Sequence, residues 1–304
     1  MTPNQVSVDA GTTWSVTSNP LLGSSSSQRW YSNQPLTGTT SSTTMVFVFY
    51  RQTPQLLSFS VTGGGSGYSP PSFQANQFGL PITVVLTNTA TSYWLDYGSS
   101  WVVGPNPLIG FSSTERWFTT QKTSGTIGGT SSFKYQHQFY LTMQVNLSGA
   151  GLTTPSSGWH NSGQTVTIKA TAKTGYQLLS WNGIGAGSYT GTSSSTIITM
   201  NAPITETANF GVIITITSNP TGSGYVTADR VAVKTPQTYS WVIGSTHTIA
   251  AVSPVSCGIG CQYVFTAWND GGAQSHAITV PSSPTTYQAT FQKQYLLRVS
   301  RVSQ

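Results

Sequence analysis

At 304 residues the chain is long enough for two or three domains, yet only 6% of its residues are charged, against about 25% in a typical soluble domain. Twelve Lys and Arg residues and only six Asp and Glu residues are spread along the chain, so the net charge of +6 reflects scarce carboxylates rather than a basic patch. This pattern argues against nucleic-acid binding, and an aromatic content of 12% argues against disorder.

The predicted elements are β-strands from one end of the chain to the other. Strand-like runs combine β-branched and aromatic residues with a period of two, as in TMVFVFY, PITVVLT, QTVTIKAT, STIITM and TYQATF. Long helical patterns, capping boxes and runs of transmembrane length are missing. We therefore predict an all-β fold of tandem small β-sandwich or β-grasp-like modules in a serial repeat array, with no direct membrane insertion.

A repeat with a constant offset of 87 residues occupies the first part of the chain. The segment from Asp9 to Gly38 recurs from Asp96 to Gly125, and both copies contain NPL-x-G and Arg-Trp. Such a match indicates duplication of a structural unit. The repeated Arg29-Trp30 and Arg116-Trp117 pairs, with the guanidinium stacked on the indole, are expected to be structural contacts.

Asp9 and Asp96 raise the hypothesis of an aspartic-type protease, because two carboxylates that share a proton supply an acid and a base. The middle residue, whose hydroxyl braces the opposite loop in such enzymes, is Ala10 in one copy and Tyr97 in the other. Equivalent positions of a serial repeat also lie a module apart. We therefore interpret both segments as turns in which Asp accepts backbone hydrogen bonds and Gly adopts positive φ.

A second pair of related stretches follows in the other half of the chain. Residues 166–210 and 247–291 each contain a strand, a turn, an aromatic strand with Trp181 or Trp268, and a closing Ala-x-Phe strand. Both Trp residues are expected in the core. We predict a partial repeat at residues 1–53, a first full module at 54–138, a second at 139–211, a third with a cysteine loop at 212–293, and the start of a further repeat at 294–304. Because both ends cut a repeat, we expect a fragment of a longer array.

The residues of the second half resemble the divergent InlB B-repeat, or bacterial repeat, family of surface proteins. The resemblance is carried by Gly175-Tyr176-Gln177, Ser180-Trp181-Asn182-Gly183 and residues 201–210, and it extends over about residues 139–292. The preceding repeats look like those of thermophilic archaeal extracellular proteins. The resemblance implies a stalk, adhesive or scaffold role without catalysis.

Few residues are candidates for a site. Aromatic rings in loops rich in Gly, Ser and Pro are candidates for contact with glycans or proteins: Tyr68, Trp159, Tyr189 and Tyr225. Cys257 and Cys261 are predicted to form a local disulfide, with free thiols as the alternative. Asn146 lies in the only Asn-x-Ser/Thr sequon and is a candidate for glycosylation. The four His residues lack metal-ligand spacing, so we expect neither a metal nor another cofactor.

The leading hypothesis is a non-catalytic extracellular repeat segment of a cell-surface protein, acting as a stalk, an adhesin or a component of a fibre or surface layer. Expected partners are other surface proteins, neighbouring repeats or glycans, and no nucleic acid. The alternative is an accessory carbohydrate- or protein-binding region of a secreted acid-stable hydrolase. A remote alternative is the aspartic-type protease that uses Asp9 and Asp96.

Overall fold

The computed structural model describes residues 6–41, 44–128 and 131–301. All of the regular secondary structure in these described residues is β-strand, so the all-β prediction is confirmed. None of the described residues forms a helix long and apolar enough to cross a bilayer.

The strands are numbered in chain order. The first eleven are β1 (Thr13–Ser15), β2 (Arg29–Tyr31), β3 (Thr37–Thr39), β4 (Tyr50–Thr62), β5 (Ser72–Gln77), β6 (Leu80–Val85), β7 (Thr91–Asp96), β8 (Ser100–Gly104), β9 (Glu115–Phe118), β10 (Ser124–Thr126) and β11 (Ser131–Val145). The others are β12 (Gly151–Thr154), β13 (Gly158–Asn161), β14 (Thr165–Ala172), β15 (Tyr176–Ile184), β16 (Ser195–Thr199), β17 (Ile204–Asn219), β18 (Ser223–Ala228), β19 (Val231–Lys234), β20 (Gln237–Trp241), β21 (Thr246–Ala251), β22 (Val255–Gly258), β23 (Cys261–Trp268), β24 (Ser275–Thr279) and β25 (Thr285–Tyr295).

The strands group into two compact units. The first unit contains Met1–Tyr140 and Trp159–Gly163, and the second contains Leu141–Gly158 and Gln164–Gln304. Each unit has its own buried apolar residues.

The first unit is built around two long strands. Strands β4 and β11 run parallel, with residues 57–62 opposite 131–136, while β7 pairs antiparallel with β4 and β9 with β11. A second sheet has the order β10-β8-β5-β6. Both sheets contribute to one core, which includes Leu57, Phe73, Leu95, Val103, Trp117 and Tyr135. Two sheets that enclose one core form a β-sandwich.

Strand β4 shows how the sequence pattern produces this layer. Gln55, Leu57 and Phe59 are buried, whereas Leu56 and Ser60 between and after them are exposed. Successive side chains of a strand point to opposite faces, so the period of two in the sequence becomes an inner and an outer face.

The second unit contains two sandwiches that share strand β17. Ile204, Ala208 and Phe210 of its first half are buried in the second module, where the sheet β12-β14-β16 supplies Val166 and Ile198. The second half of β17 belongs to the core of the third module, with the sheet β19-β18-β21-β24, and this core includes Val212, Ile214, Ile216, Val226, Ile249 and Phe291.

One strand order recurs between successive long strands. One strand pairs with the preceding long strand, and a later strand pairs with the following long strand: β7 and β9, then β13 and β15, then β20 and β23. The two repeat classes that differ in sequence therefore share this pairing with the long strands, while among the described residues the second sheet has four strands in the first and third modules and three in the second. The predicted boundaries before residues 54, 139, 212 and 294 each fall inside a long strand, which supplies the end of one module and the beginning of the next.

Candidate functional site

Asp96 ends β7, and its carboxylate accepts hydrogen bonds from neighbouring segments. Oδ1 accepts hydrogen bonds from Nε2 of Gln52 (3.1 Å) and from the backbone N–H of Phe78 (3.0 Å), and Oδ2 accepts one from the N–H of Gly79 (2.7 Å). Its side chain is buried, and its carbonyl accepts the N–H of Ser99 at 3.2 Å. Both oxygens are thus engaged in holding β7 against the loop that joins β5 to β6.

Asp9 occupies the same turn in the first copy, but it is exposed. The N–H of Thr12 donates to its carbonyl at 3.1 Å, and Gly11 has a φ of 79°, matching 76° at Gly98. Positive φ is the conformation that glycine adopts without steric cost. The turn and the positive φ of its glycine agree with the prediction in both copies, but within the turn the acceptor is the main-chain carbonyl of the Asp rather than its carboxylate.

The same turn occurs at two further places in the chain, where the amino-acid sequence is different. The N–H of Ser245 donates to the carbonyl of Val242 at 3.0 Å, and the N–H of Val280 then donates to that of Ser245 at 2.9 Å. In the remaining copy the N–H of Met200 donates to the carbonyl of Gln164, the residue after Gly163. Sequence reasoning missed these turns because Asn161 and Val242 replace Asp, and only the glycine two residues later is common to all four.

Arg29 requires a correction to the predicted Arg-Trp pair. Its guanidinium stacks on Tyr31 at 4.3 Å and on Trp94 at 4.5 Å rather than on the adjacent Trp30. Neighbouring residues of a strand point to opposite faces, whereas residues two apart share a face. Its Nε also donates to Oε1 of Gln52 at 3.0 Å. Arg29, Gln52 and Asp96 therefore form one hydrogen-bonded row.

Arg116 repeats this row in the second copy. The prediction that it stacks on Trp117 is wrong for the same reason, since its partners are Phe118 at 4.2 Å and Trp159 at 4.3 Å. Its Nε donates to Oε1 of Gln138 at 2.8 Å, and Gln138 in turn donates to Oδ1 of Asn161 at 2.9 Å. Burial lowers the pKa of both arginines.

The tryptophans of the repeats serve as core residues to different degrees. Trp117, Trp181 and Trp268 are almost completely buried, and Trp30 is half-buried. The indole N–H of each of these three buried residues has a carbonyl acceptor: Gly64 for Trp117 at 3.3 Å, Ser193 for Trp181 at 3.0 Å and Gln274 for Trp268 at 3.2 Å. A buried indole is stabilised by such a partner.

The four loop aromatics all make contacts within their own unit. Tyr68 packs on Trp117 with ring centroids 5.2 Å apart, and Tyr225 packs on Phe291 at 5.3 Å. The remaining two are also half-buried: Trp159 packs on Tyr140 at 5.2 Å, and the hydroxyl of Tyr189 accepts the N–H of Ser193 at 3.2 Å. Their contact with a ligand stays a prediction.

An open groove of about 480 Å³ lies beside Tyr68 in the first unit. Its apolar surface comes from Phe59, Tyr68 and Leu86, and its polar edge from Thr87 and Asn88. The third side is the glycine loop at residues 65–67. The groove carries no charged side chain, so it suits an uncharged sugar or a peptide better than an ion.

The loop at residues 65–67 packs closely at positions where a side chain would not fit. A Cβ on Gly65 would lie 2.7 Å from Cε1 of His137, and a Cβ on Gly110 would overlap the carbonyl oxygen of Gly67. The ring of His137 stacks on Trp117 with centroids 4.9 Å apart, and its Nδ1 lies 3.2 Å from the carbonyl oxygen of Gly63. The groove thus rests on a tightly packed base.

Each ion pair found among the described residues joins a histidine to a carboxylate. His137 pairs with Glu115 at 2.7 Å, His247 with Asp229 at 2.7 Å and His276 with Asp270 at 2.9 Å. A hydrogen bond from His247 lowers the pKa of Asp229. These pairs were not predicted, because their partners lie 6 to 22 residues apart in sequence. In the described part of the chain no three His, Cys, Asp or Glu side chains are grouped to hold a metal ion.

Glu206 is a buried carboxyl in the second module. Its Oε1 accepts the N–H of Tyr189 at 2.6 Å, and its Oε2 is buried without a hydrogen-bond partner among the described residues. Burial raises the pKa of Glu206 because the charged form is poorly solvated there.

Two further predictions concern covalent chemistry. The disulfide between Cys257 and Cys261 is confirmed, with Cα atoms 5.2 Å apart in the hairpin of β22 and β23. The amide of Asn146, the glycosylation candidate, donates to the carbonyl of Phe210 at 3.1 Å and accepts its N–H at 2.8 Å. Glycosylation of Asn146 stays a prediction, and it would compete with the donated bond.

The second module is the part of the chain that matches a known family. It contains the shared long strand β17, the buried Trp181 and the closing Ala-x-Phe. Residues 141–213 match the divergent InlB B-repeat domain. The predicted resemblance is thereby confirmed for this InlB B-repeat region. A search of curated proteins finds no match.

Solved structures give only distant similarities. The pilus adhesin SpaC from Lactobacillus rhamnosus GG aligns with 12% identity and a TM-score of 0.23, over 86% of this chain and 47% of the adhesin. The TIE protein of Bacillus anthracis aligns with 9% identity and a TM-score of 0.23, over 88% of this chain and 59% of that protein. The chain thus spans about half the length of these proteins, and such TM-scores do not establish a common fold.

Proposed function

We propose that this chain is a non-catalytic, extracellular repeat segment of a cell-surface protein and acts as a stalk, an adhesin or a component of a fibre or surface layer. The observation that carries the proposal is the sharing of long strands, since β17 belongs to the cores of both the second and the third module. Modules that share a strand cannot separate without breaking that strand's contacts. The InlB B-repeat region supports the proposal.

The path of the chain through the third module suits it to carry tension. The chain enters along residues 214–219 of β17 and leaves along residues 285–290 of β25, and these segments pair in parallel. In a parallel pair, the start of one strand and the end of the other lie at opposite ends of the ladder. A pull along the chain therefore shears six paired residues at once instead of peeling them apart one by one.

The polar side chains favour a structural role over catalysis. Both oxygens of the Asp96 carboxylate accept hydrogen bonds, and Glu115, Asp229 and Asp270 each pair with a histidine. Asp9 lies exposed on its own turn. This disposition gives no support to the protease alternative, which requires two carboxylates that share a proton.

A thermophilic archaeal source stays a prediction.

Labelling of the cells that make the protein tests its location. Antibodies against the folded chain should label intact cells under immunogold electron microscopy, with an antibody against a cytosolic enzyme as the control. Labelling that requires permeabilised cells contradicts the proposal.

Single-molecule force spectroscopy tests the mechanical role. The third module of the full chain should unfold at a higher force when the chain is pulled from its ends than when it is pulled through cysteines placed at Asn219 and Thr290. These two exposed positions face each other at one end of the ladder, so a pull through them peels it. Equal forces in the two geometries contradict the role, because shear loading requires a difference.

The groove beside Tyr68 favours a second candidate function, an accessory binding region for carbohydrate or protein. Oligosaccharides and short uncharged peptides can be titrated calorimetrically against the full chain and against Thr87→Lys and Asn88→Lys, two exposed rim positions. Binding that both substitutions weaken supports this function. Binding that neither substitution changes places the ligand elsewhere.

A further inference from the structure

The ring of His137 has a hydrogen-bond acceptor at each of its two nitrogens. Nε2 lies 2.7 Å from Oε1 of Glu115, and Nδ1 lies 3.2 Å from the carbonyl oxygen of Gly63. A carbonyl oxygen and an ionised carboxylate both accept hydrogen bonds and donate none, whereas a neutral imidazole carries a single N–H. The other rings packed on His137 are those of Trp117 and Phe139, which do not titrate. The surroundings of His137 therefore fit the doubly protonated ring.

His276 has the same arrangement in the third module. Its Nδ1 lies 2.7 Å from the carbonyl oxygen of Ala273, and its Nε2 lies 2.9 Å from Oδ2 of Asp270. Burial by itself would raise the pKa of Asp270, but hydrogen bonds from the N–H of Gly272 and from His276 lower it overall. The carboxylate is thus ionised and can only accept, so both nitrogens of His276 face acceptors.

His247 reaches the same state through a serine. Its Nδ1 lies 2.7 Å from Oδ2 of Asp229, and its Nε2 lies 3.0 Å from Oγ of Ser245. The hydroxyl of Ser245 donates its own hydrogen to the carbonyl of Val242 at 2.6 Å, so it can only accept from the ring. A hydrogen bond from His247 lowers the pKa of Asp229, which keeps that carboxylate ionised. Two donors are again required of one imidazole.

Two of the three rings also stack on a tryptophan. His137 and Trp117 have ring centroids 4.9 Å apart and planes inclined by 7°, and His247 and Trp241 have centroids 3.7 Å apart and planes inclined by 5°. The face of an indole attracts a cation through its quadrupole. Stacking therefore favours the protonated form of both rings.

Phenols near the two sites of the third module remain uncharged. Tyr239 stacks on Trp241, and burial and then the charge of Asp229 raise its pKa. Burial, followed by the charge of Asp270, also raises the pKa of Tyr287. A phenol with a raised pKa is neutral below about pH 10. These groups add no charge that opposes protonation of the histidines.

We propose that His137, His247 and His276 are three proton-binding sites, occupied as imidazolium rings at neutral pH, and that they stabilise the fold in acid. A ring that releases its proton can donate to one acceptor instead of two, so each site then loses a hydrogen bond. Because unfolding separates the ring from both acceptors, the folded chain binds the proton more tightly. The stabilisation is therefore present at low pH and lost as the pH rises through the release of the proton. This inference goes beyond the proposed function and does not depend on it.

Each site joins segments that are distant in sequence. His137 connects β11 to Glu115 of β9 and to Gly63, which precedes the loop at residues 65–67 beside the groove. His247 of β21 holds Asp229, which lies in the turn between β18 and β19. Release of these protons should loosen one loop in the first unit and one turn in the third module.

Nitrogen-15 NMR of the histidine rings measures the protonation state directly. In the full chain at pH 7, both ring nitrogens should be protonated in His137, His247 and His276. The remaining ring, His160, should be neutral, because burial lowers its pKa. Single His→Gln variants assign the four signals. Neutral rings at the three sites overturn the proposal.

The Glu115→Gln variant separates hydrogen bonding from packing. An amide of the same shape can turn its NH₂ group toward Nε2 and donate to it, so a neutral His137 then satisfies both neighbours. The NMR signals of His137 should become those of a neutral ring at pH 7, while His247 and His276 stay protonated. Asp9→Asn, at an exposed carboxylate outside the three pairs, is the matched control and should change none of the rings. A His137 ring that stays protonated in Glu115→Gln overturns its assignment as such a site.

Thermal unfolding tests the effect on stability. Burial raises the pKa of Glu206, which therefore also favours the folded state at low pH, so the comparison uses the Glu206→Gln chain. Its unfolding midpoint should be higher by about 5 °C at pH 5 than at pH 8. Adding His→Gln at positions 137, 247 and 276 should remove the difference. A midpoint that is equal or lower at pH 5 overturns the proposal without need of the triple variant. None of these results depends on surface labelling of cells, so the proposed function is tested separately.

Discussion

The two copies of the 87-residue repeat share several hydrogen bonds in different surroundings. Asn19 clamps Ser32 through its amide as Asn106 clamps Thr119, and Trp14 lies over Gly38 as Trp101 lies over Gly125. The second copy also has the sheet of β5 and β6, whose Phe73 stacks on Trp101. In the first copy a cleft lies beside Trp14, and its indole N–H is buried without an acceptor among the described residues.

The difference teaches that the repeat sequence encodes local geometry, while burial depends on what the rest of the module adds. The second copy therefore carries more of its stability in the core. Substitutions at equivalent positions should have larger effects there, and they test the comparison directly.

The largest difference is expected for the tryptophans of the Arg-Trp pairs. Trp117→Ala should lower the free energy of unfolding by about 3–5 kcal/mol, because the indole is almost completely buried. Trp30→Ala should cost less than half as much, because Trp30 is half-buried. Urea unfolding measures both values. Equal losses contradict the view that the two copies differ in burial.

The next difference concerns the glycines that follow NPL. Gly23 and Gly110 have φ values of 91° and 107°, so alanine strains the backbone at both. A Cβ on Gly110 would also overlap the carbonyl oxygen of Gly67, whereas a Cβ on Gly23 would meet nothing within 4 Å. We expect Gly110→Ala to cost about 2–4 kcal/mol and Gly23→Ala about 1–2 kcal/mol in thermal unfolding. A Gly23→Ala variant as unstable as Gly110→Ala would place a hidden contact at the first copy.

Substituting the two turn aspartates should change the free energy of unfolding by amounts that also differ by about 2 kcal/mol. Asp96→Ala leaves the side chain of Gln52 and the N–H groups of Phe78 and Gly79 without their acceptor, which should cost about 2–3 kcal/mol. Asp9→Ala should change stability by less than about 0.5 kcal/mol, since Asp9 is exposed. Chemical denaturation at neutral pH measures both. A large effect at Asp9 would revive a role for that carboxylate beyond the turn.

The second and third modules allow a similar comparison at one core position. Glu206 precedes Ala208 by two residues, as Tyr287 precedes Ala289, so a carboxyl and a phenol occupy equivalent places. Burial raises the pKa of Glu206, so this group favours the folded state at low pH and loses that contribution as the pH rises through its folded-state pKa. Glu206→Gln should stabilise the chain by about 1–2 kcal/mol at pH 8 and by little at pH 4, as measured by urea unfolding. Equal stabilisation at both pH values contradicts a buried, titrating carboxyl.

The smallest expected effect comes from replacing a neutral hydrogen bond of the first copy with an ion pair, as the second copy has at the equivalent place. Arg51 donates to Gln28 in the first copy, where His137 and Glu115 form a pair in the second. Gln28→Glu should create an ion pair with Arg51 worth about 0.5 kcal/mol, weakened by salt because the bond between these side chains is exposed to solvent. Gln28→Ser serves as the uncharged control. A gain that is insensitive to salt contradicts an electrostatic origin.

Much of the fold was predictable because its signals are local. The period of two in β4 and the turn at Asp96 follow from side-chain alternation and short-range hydrogen bonds. The disulfide joins residues four apart, which is also a local property. The pairs His137–Glu115 and His247–Asp229 were not predictable, since they depend on the register between separate strands.

The sequence by itself determined the all-β class, the 87-residue repeat, the InlB B-repeat resemblance and the disulfide, because each is written in neighbouring residues or in a constant offset. Only the tertiary structure decided that Arg29 stacks on Trp94 and that Glu206 is buried. These properties depend on strand register and on the second sheet of each module. They arise when distant segments pack together, and no single stretch of sequence contains them.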